Sequence, residues 1–229
     1  GLRKVGGLDD VTWDDHDGLA IGAMARLAAV GSHPAVARHF PDLCDGITAC
    51  ATVQVRNMGT VVGNLCNASP AADSVPGLIA AGATVTVAGP KGKREMPVED
   101  VMVGPRKLAI GADEFVVSFF LPARAAHAAD AYERFIPRTE MDIAVVGAGV
   151  NLTLDDSGKI TDARVALGAV APRPLLVKDA AAAIIGTTLD DEALKKLDAA
   201  AQAGGADRAA HAHHEAASAQ AHRGERLLV

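Results

Sequence analysis

The stretch Gln54 to Ser74, QVRNMGTVVGNLCNASPAADS, constrains this chain most, because it carries little helical or strand periodicity. Gly59, Thr60, Gly63, Asn64, Asn67, Ser69 and Pro70 favour tight turns or offer backbone and short side chains to a partner. Apolar segments flank the run, so a compact loop held against a core is expected. Such a loop suits close approach of backbone N–H groups to an anion such as a pyrophosphate. On chemistry alone, an ordinary structural loop between two helices explains it equally well.

Composition narrows the partners. At 229 residues the chain is long enough for one large domain or two smaller ones with a real core. Aromatic residues make up only 3%, so that core must be aliphatic. The formal charge is −6 and no Lys/Arg cluster occurs, which argues against nucleic acid or an anionic membrane. No apolar run reaches the roughly 18–20 residues of a membrane span, and the first residues lack the apolar core of a signal peptide. Cys44, Cys50 and Cys66 match no C-x-x-C spacing and suggest reduced thiols in a cytoplasmic protein. Three cysteines fall short of the four that normally ligate an iron–sulfur cluster, so none is expected in this chain.

Local signals sketch the elements. Val11 to Trp13 and Leu19 to Ala23 flank the turn-rich Asp14 to Gly18, which predicts a hairpin. Met24 to Val30 is helical in composition, and Ser32 with Pro34 predicts the N-cap and first turn of the next helix. Pro41 interrupts it, and Asp42 to Gln54 should resume it with Leu43, Ile47 and Val53 on related faces. Val75 to Ala81 predicts a short helix, and Ala83 to Val87 a strand turning at GPKGKR. The apolar run Phe115 to Leu121 predicts a strand covered on both faces. Alanine-rich Ala123 to Ala131 marks a domain boundary. Ile143 to Leu154 and Ile160 to Val170 are strands joined by DDSGK, followed by a helix Lys178 to Ile185 closed by Gly186. Thr188 is placed to cap the last helix. In the tail, His211, His213 and His214 sit at spacings that suit no single helix face, so no metal site is expected.

Four segments go further together than any does alone. LAIGAMARL (Leu19 to Leu27), RNMGTVVGNLCNASPAAD (Arg56 to Asp73), VGPRKLAIGADEFVVSFFLP (Val103 to Pro122) and YERFIPRTEMDIAVVGAGVNL (Tyr132 to Leu152) follow one another in order. In order and spacing they resemble the FAD-binding (medium) subunit of molybdenum hydroxylases. That family includes the carbon monoxide dehydrogenase medium subunit and the flavin domain of xanthine dehydrogenase. The resemblance implies an α+β fold. It comprises an FAD-binding domain of the vanillyl-alcohol-oxidase-like (PCMH) type over residues 1–122 and a C-terminal domain of antiparallel sheet plus helices over 123–229. Gly6-Gly7 reads as a turn rather than the family's first flavin loop, so that loop and its N-terminal subdomain are expected to be missing.

Site residues follow from the same resemblance. Thr60, Val61, Val62, Gly63 and Asn64 match the family's T-x-G-G-N pyrophosphate loop, with Val62 in place of its first glycine. A β-branched residue disfavours positive φ and adds bulk, so Val62→Gly is expected to tighten FAD binding. Ser69 and Asp73 match further cofactor contacts. Asp73 is read either as an acceptor for ribose or ribityl hydroxyls or as the cap of the following helix. Val116 matches an apolar position lining the adenine or ring pocket. Arg134 matches a basic position near the flavin, where its charge would stabilise the anionic reduced ring; the alternative is a surface salt bridge with Glu133 or Glu140. Arg56, Arg138 and Asp142 read as structural, and no residue is assigned a catalytic role.

The function implied is cytoplasmic electron transfer through FAD. Molybdopterin would reside in a large partner subunit and two [2Fe–2S] clusters in a small one, the three forming a heterotrimer expected to dimerise. A truncated medium subunit serving as a scaffold without flavin is the competing reading, and an unrelated nucleotide-binding module a more distant one.

Overall fold

A computed structural model of the chain describes residues 5–138 and 142–205. The three tail histidines and Glu140 lie outside the described residues. Strands β1 (Val11–Asp14) and β2 (Gly18–Gly22) form the expected hairpin. Asp14 closes its turn by accepting the amides of His16 (2.8 Å) and Asp17 (3.0 Å). Gly18 stands at φ +125°, and a Cβ there would lie 2.1 Å from the Leu121 carbonyl, so no other residue fits.

Three further strands complete an antiparallel sheet in the order β1-β2-β7-β3-β4: β3 (Thr84–Gly89), β4 (Gly92–Pro97) and β7 (Phe115–Pro122). Two short strands, β5 (Met102–Gly104) and β6 (Lys107–Leu108), pair with each other. The sequence suggests burial of β7 on both faces, yet only one face is covered. Val116, Phe119 and Leu121 are buried, while Phe115 and Phe120 stay exposed. An apolar run alone does not distinguish a two-sided strand from a one-sided one carrying exposed aromatics.

The covered face packs under six short helices: α1 (Leu27–Gly31), α2 (Pro34–His39), α3 (Pro41–Ala49), α4 (Val53–Met58), α5 (Val61–Cys66) and α6 (Ser74–Ala80). Ser32 does not cap α2. Its hydroxyl donates back to the Ala28 carbonyl at 2.9 Å and closes α1 instead. Left-handed Ala51 (φ 47°) stops α3, so Val53 belongs to α4 and is 59% exposed rather than in phase with Leu43 and Ile47. The supposed loop Gln54 to Ser74 is largely helical, because α4 and α5 occupy most of it.

Every residue of α6 is buried. The helix lies between α3 and a second sheet, order β11-β10-β9-β8, built from β8 (Ala128–Phe135), β9 (Val146–Leu154), β10 (Ile160–Gly168) and β11 (Leu175–Leu176). Glycines make the approach possible. A Cβ on Gly46 would meet the Asp73 carbonyl at 2.6 Å, and one on Gly149 the Pro76 carbonyl at 2.6 Å. In the β9–β10 turn, Asp155 accepts from the backbone of Ser157 and Lys159, with Gly158 at φ +79°. Helices α7 (Lys178–Ile184) and α8 (Asp191–Gly204) build a second core with that sheet around Ile160, Val165, Leu167 and Ile184. Asp190, not Thr188, caps α8 by accepting the Ala193 amide at 2.8 Å.

A buried polar knot joins the two sheets. Arg124 pairs with Asp130 of β8, donates to the His39 carbonyl (2.7 Å) and lies 4.8 Å over the Phe40 ring. Asp130 also accepts the amide of Asp42 at 3.2 Å. Among the described residues, no helix is long and apolar enough to cross a membrane.

Candidate functional site

Thr60 ends the turn between α4 and α5 in extended backbone (φ −117°, ψ 158°) and acts as the N-cap of α5. Its Oγ1 accepts the Gly63 amide at 2.9 Å. A Cβ on Gly63 would stand 3.0 Å from that oxygen, so glycine gives the cap its room. The turn is pinned from behind, where Leu27 donates its amide to the Gly59 carbonyl (2.9 Å) and Arg26 bridges Thr60. As N1 and N2 of the helix, Val61 and Val62 have no intrahelical acceptor for their amides; the Arg26–Thr60 bridge turns the Val61 amide toward the Ala25 carbonyl, and the Val62 amide has no hydrogen-bond partner among the described residues.

Val62 behaves differently from the sequence expectation. It is helical, not at positive φ, and its side chain is buried in the aliphatic core with Val61 and Leu65. The backbone at this position does not call for glycine, and the Cβ is directed into packing.

Asn64, one turn into α5, accepts the hydroxyl of buried Ser74 at 2.7 Å. The Cys50 thiol lies 3.9 Å from the same amide oxygen. Burial first, and then the charge of Asp73, push that thiol up to about 11, so it stays protonated at neutral pH. Arg56 donates to the carbonyls of Cys50 (2.9 Å) and Ala51 (2.8 Å), holding the end of α3 against α4. Its role is structural, as expected, though its partners are carbonyls and not a carboxylate. Arg138 and Asp142 do pair, at 3.0 Å.

Asp73 precedes α6 but does not cap it. One carboxylate oxygen accepts the Tyr132 hydroxyl at 2.8 Å and the other accepts Arg134 Nη1 at 3.1 Å. Both donors stand on β8 two residues apart, hence on one face. Burial raises the Asp73 carboxyl above its ordinary value, while Tyr132 and Arg134 pull the other way. Burial also raises the Tyr132 phenol, reinforced by the neighbouring carboxylate. Arg134 therefore has Asp73 as its partner, in place of Glu133.

The fold thus gathers Asn64, Asp73 and Arg134 at the start of α6, with Thr60 to Gly63 on the adjoining helix start. Ser69 lies on the connecting loop, its hydroxyl accepting the Ala71 amide at 3.3 Å. That loop is tied to the second sheet where Ala169 donates to the Pro70 carbonyl (2.8 Å). Val116 sits in the sheet core opposite Val87 and makes no polar contact here. Sequence reasoning passed over Tyr132, Ser74 and Cys50. The two-residue spacing of Tyr132 and Arg134 on a strand was the available signal for the first. Among the described residues, no group of three or more His, Cys, Asp or Glu could hold a metal.

Comparison with known proteins supplies the context. Residues 1–124 match the family described as the FAD binding domain in molybdopterin dehydrogenase, and residues 131–215 match the CO dehydrogenase flavoprotein C-terminal domain. The carbon monoxide dehydrogenase medium chain of Afipia carboxidovorans is 32% identical over 202 residues, covering 88% of this chain and 69% of that one. The xanthine dehydrogenase FAD-binding subunit of Escherichia coli is 30% identical over 175 residues, covering 76% of this chain and 60% of its own length. Among solved structures, reconstituted CO dehydrogenase from Oligotropha carboxidovorans superposes with a TM-score of 0.83 at 32% identity, over 88% of this chain and 70% of that one. Quinoline 2-oxidoreductase from Pseudomonas putida gives 0.78 at 28% identity, over 89% of this chain and 70% of that one. The chain thus spans about 60% of the xanthine dehydrogenase subunit and about 70% of the CO dehydrogenase chain. With both domain families matched in order, this chain belongs to the FAD-binding domains of molybdopterin dehydrogenases.

Proposed function

We propose that this chain binds FAD and carries electrons within a molybdenum hydroxylase. The observation that supports it best is the convergence of Asn64, Asp73 and Arg134 beside the start of α5, where the Val62 amide is unspent. The donor set suits the cofactor's chemistry. Amides at a helix start attract phosphate oxygens, and the Thr60 hydroxyl and Asn64 NH2 donate to phosphate or ribityl oxygens. Asp73 accepts from ribose or ribityl hydroxyls with the lone pairs left free by Tyr132 and Arg134. Val116 and Ser69 are assigned to the same site on the family pattern. FAD supplies the redox chemistry, while the protein sets position and potential.

The partners proposed are a large molybdopterin subunit and a small subunit with two [2Fe–2S] clusters, in a heterotrimer that dimerises. Electrons would pass from the clusters to FAD and on to an external acceptor. Residues 1–122 form the flavin-binding part and 123–229 the C-terminal domain in this reading. Three free thiols agree with a cytoplasmic setting. Helical, buried Val62 supports the flavin reading over a flavin-free scaffold.

The experiment is an absorbance spectrum of the assembly obtained by co-expressing this chain with the products of its neighbouring reading frames. A flavin band, with FAD released on denaturation, is expected. A colourless assembly overturns the reading.

A further inference from the structure

We propose that Tyr132 is a positioning residue of the cofactor site, fixing the orientation of the Asp73 carboxylate from the C-terminal sheet, with Gly147 as the notch that admits its ring. The proposal rests on the flavin reading above and adds to it a residue outside the family's flavin motif.

The geometry carries it. Tyr132 is 6% exposed, and its hydroxyl donates to one Asp73 oxygen while Arg134 holds the other. A carboxylate gripped on both oxygens cannot rotate about its last bond, yet about two of its roughly four lone-pair sites remain open to a ligand's hydroxyls. The phenol lies across β9 at Gly147, which pairs with Arg134 in register. A Cβ on Gly147 would come within 2.8 Å of the Tyr132 hydroxyl and 3.3 Å of its ring. Gly149, opposite Tyr132 itself, is empty for a different reason, since the Pro76 carbonyl of α6 occupies that space. Two glycines on one strand thus let β9 carry the phenol and receive the helix that follows Asp73. The backbone of Asp73 is held as well, its carbonyl lying against Gly46 of α3.

Electrostatics gives the contact a consequence beyond filling space. The charged and titratable groups around Asp73 are Tyr132 and Arg134 on β8 and Cys50 at the end of α3, with Arg56 of α4 behind Cys50. Cys50 stays neutral, and α6 contributes only the uncharged Ser74 on this side. Tyr132 and Arg134 therefore offset part of the upward push that burial gives this carboxyl. Removing the hydroxyl while keeping the ring should loosen the carboxylate and let it take a proton at higher pH.

Tyr132→Phe in the full chain tests this, because phenylalanine keeps the ring in the Gly147 notch. The first readout needs no cofactor. The Asp73 carboxyl is followed by carbon NMR against pH, and its midpoint should move upward in Tyr132→Phe. The second is FAD titration. Affinity should fall about tenfold, the order of one hydrogen bond to a charged group, with the deficit widening as pH is lowered. In an Asp73→Asn background, Tyr132→Phe should cost nothing further. Equal Asp73 midpoints, or losses that simply add in the double variant, overturn the proposal. If FAD binds wild type and Tyr132→Phe alike at every pH, the flavin reading stands and the role of Tyr132 falls. If wild type takes up no FAD, the flavin reading falls and this assignment falls with it, even where the NMR midpoint moves.

Discussion

Asp130, on the first strand of the C-terminal sheet, accepts the backbone amide of Asp42 from 88 residues away and so caps α3. The residue at the cap position itself, Phe40, has no side-chain acceptor to offer. The same carboxylate pairs with Arg124, so one side chain ends a helix and neutralises a buried cation.

Asp130→Ala should therefore be costly. It removes the cap and leaves Arg124 buried without its counter-charge, and the expected loss is about 3–5 kcal/mol. Asp130→Asn keeps an acceptor for the Asp42 amide and should lose less. Urea denaturation of the two variants decides between these effects.

Asp42 gives the fold a pH dependence. Its carboxyl is fully buried, with one oxygen lacking any hydrogen-bond partner among the described residues, and burial pushes it up to about 7 against the pull of Arg124. The folded state holds this proton more tightly than the unfolded chain. Its contribution is thus present in full below about pH 4 and is lost as pH rises to about 7, by up to ~4 kcal/mol. Asp42→Asn should flatten that slope and raise the melting temperature at pH 8 but not at pH 4. An unchanged slope would mean that Asp42 stays ionised.

Val62→Gly should destabilise rather than improve the site. It removes a buried side chain and places glycine in a helix, together costing about 2–3 kcal/mol. FAD titration well below the melting range of both proteins should show no tightening. A tighter complex would restore the view that this Cβ stands in the way of a phosphate.

Asn64→Ala leaves the hydroxyl of fully buried Ser74 without its acceptor. A loss of about 1–3 kcal/mol in stability is expected, with weaker FAD binding measured in parallel. The double variant Asn64→Ala/Ser74→Ala should recover part of the stability and none of the affinity. Recovery of both would assign Asn64 to the fold alone.

Gly46→Ala tests the contact between α3 and the residue before α6. The new methyl would stand 2.6 Å from the Asp73 carbonyl, and backbone cannot move aside as a side chain can. A loss of about 2 kcal/mol or more is expected from the forced separation. Thermal melts measure it, and a neutral result would mean the helices can spread freely.

The hairpins were legible because their turns are local chemistry. Asp14 with Gly18, and Asp155 with Gly158, fold their own backbone. The helix at Thr60 was harder to see. Six residues that include Gly63 and two valines carry too little periodicity for a helix to stand out, and the capping hydroxyl reads equally well as a turn. Val53 falls out of phase with Leu43 and Ile47 because left-handed Ala51 resets the phase between α3 and α4, which no pattern across the break can register. At the site, the motif brought out Asn64, Asp73 and Arg134, but the pairing of the last two depends on β8 returning over α6. Asp73 looks like a cap in sequence because it precedes a helix, and it is not one because two donors from 59 and 61 residues further on reach it instead.

Helices α4 and α6 differ in how much change they can take. In α4 no residue is buried, and Met58 is 81% exposed, so nearly any polar replacement there leaves the interior untouched. Every residue of α6 is buried, and Gly46 and Gly149 press on its start and backbone with no slack for an added methyl. Substitution is therefore absorbed by the first helix and rejected by the second, with fifteen residues between them. Polar surface can be rewritten along α4, while the buried helix that sets the spacing between α3 and the second sheet stays fixed.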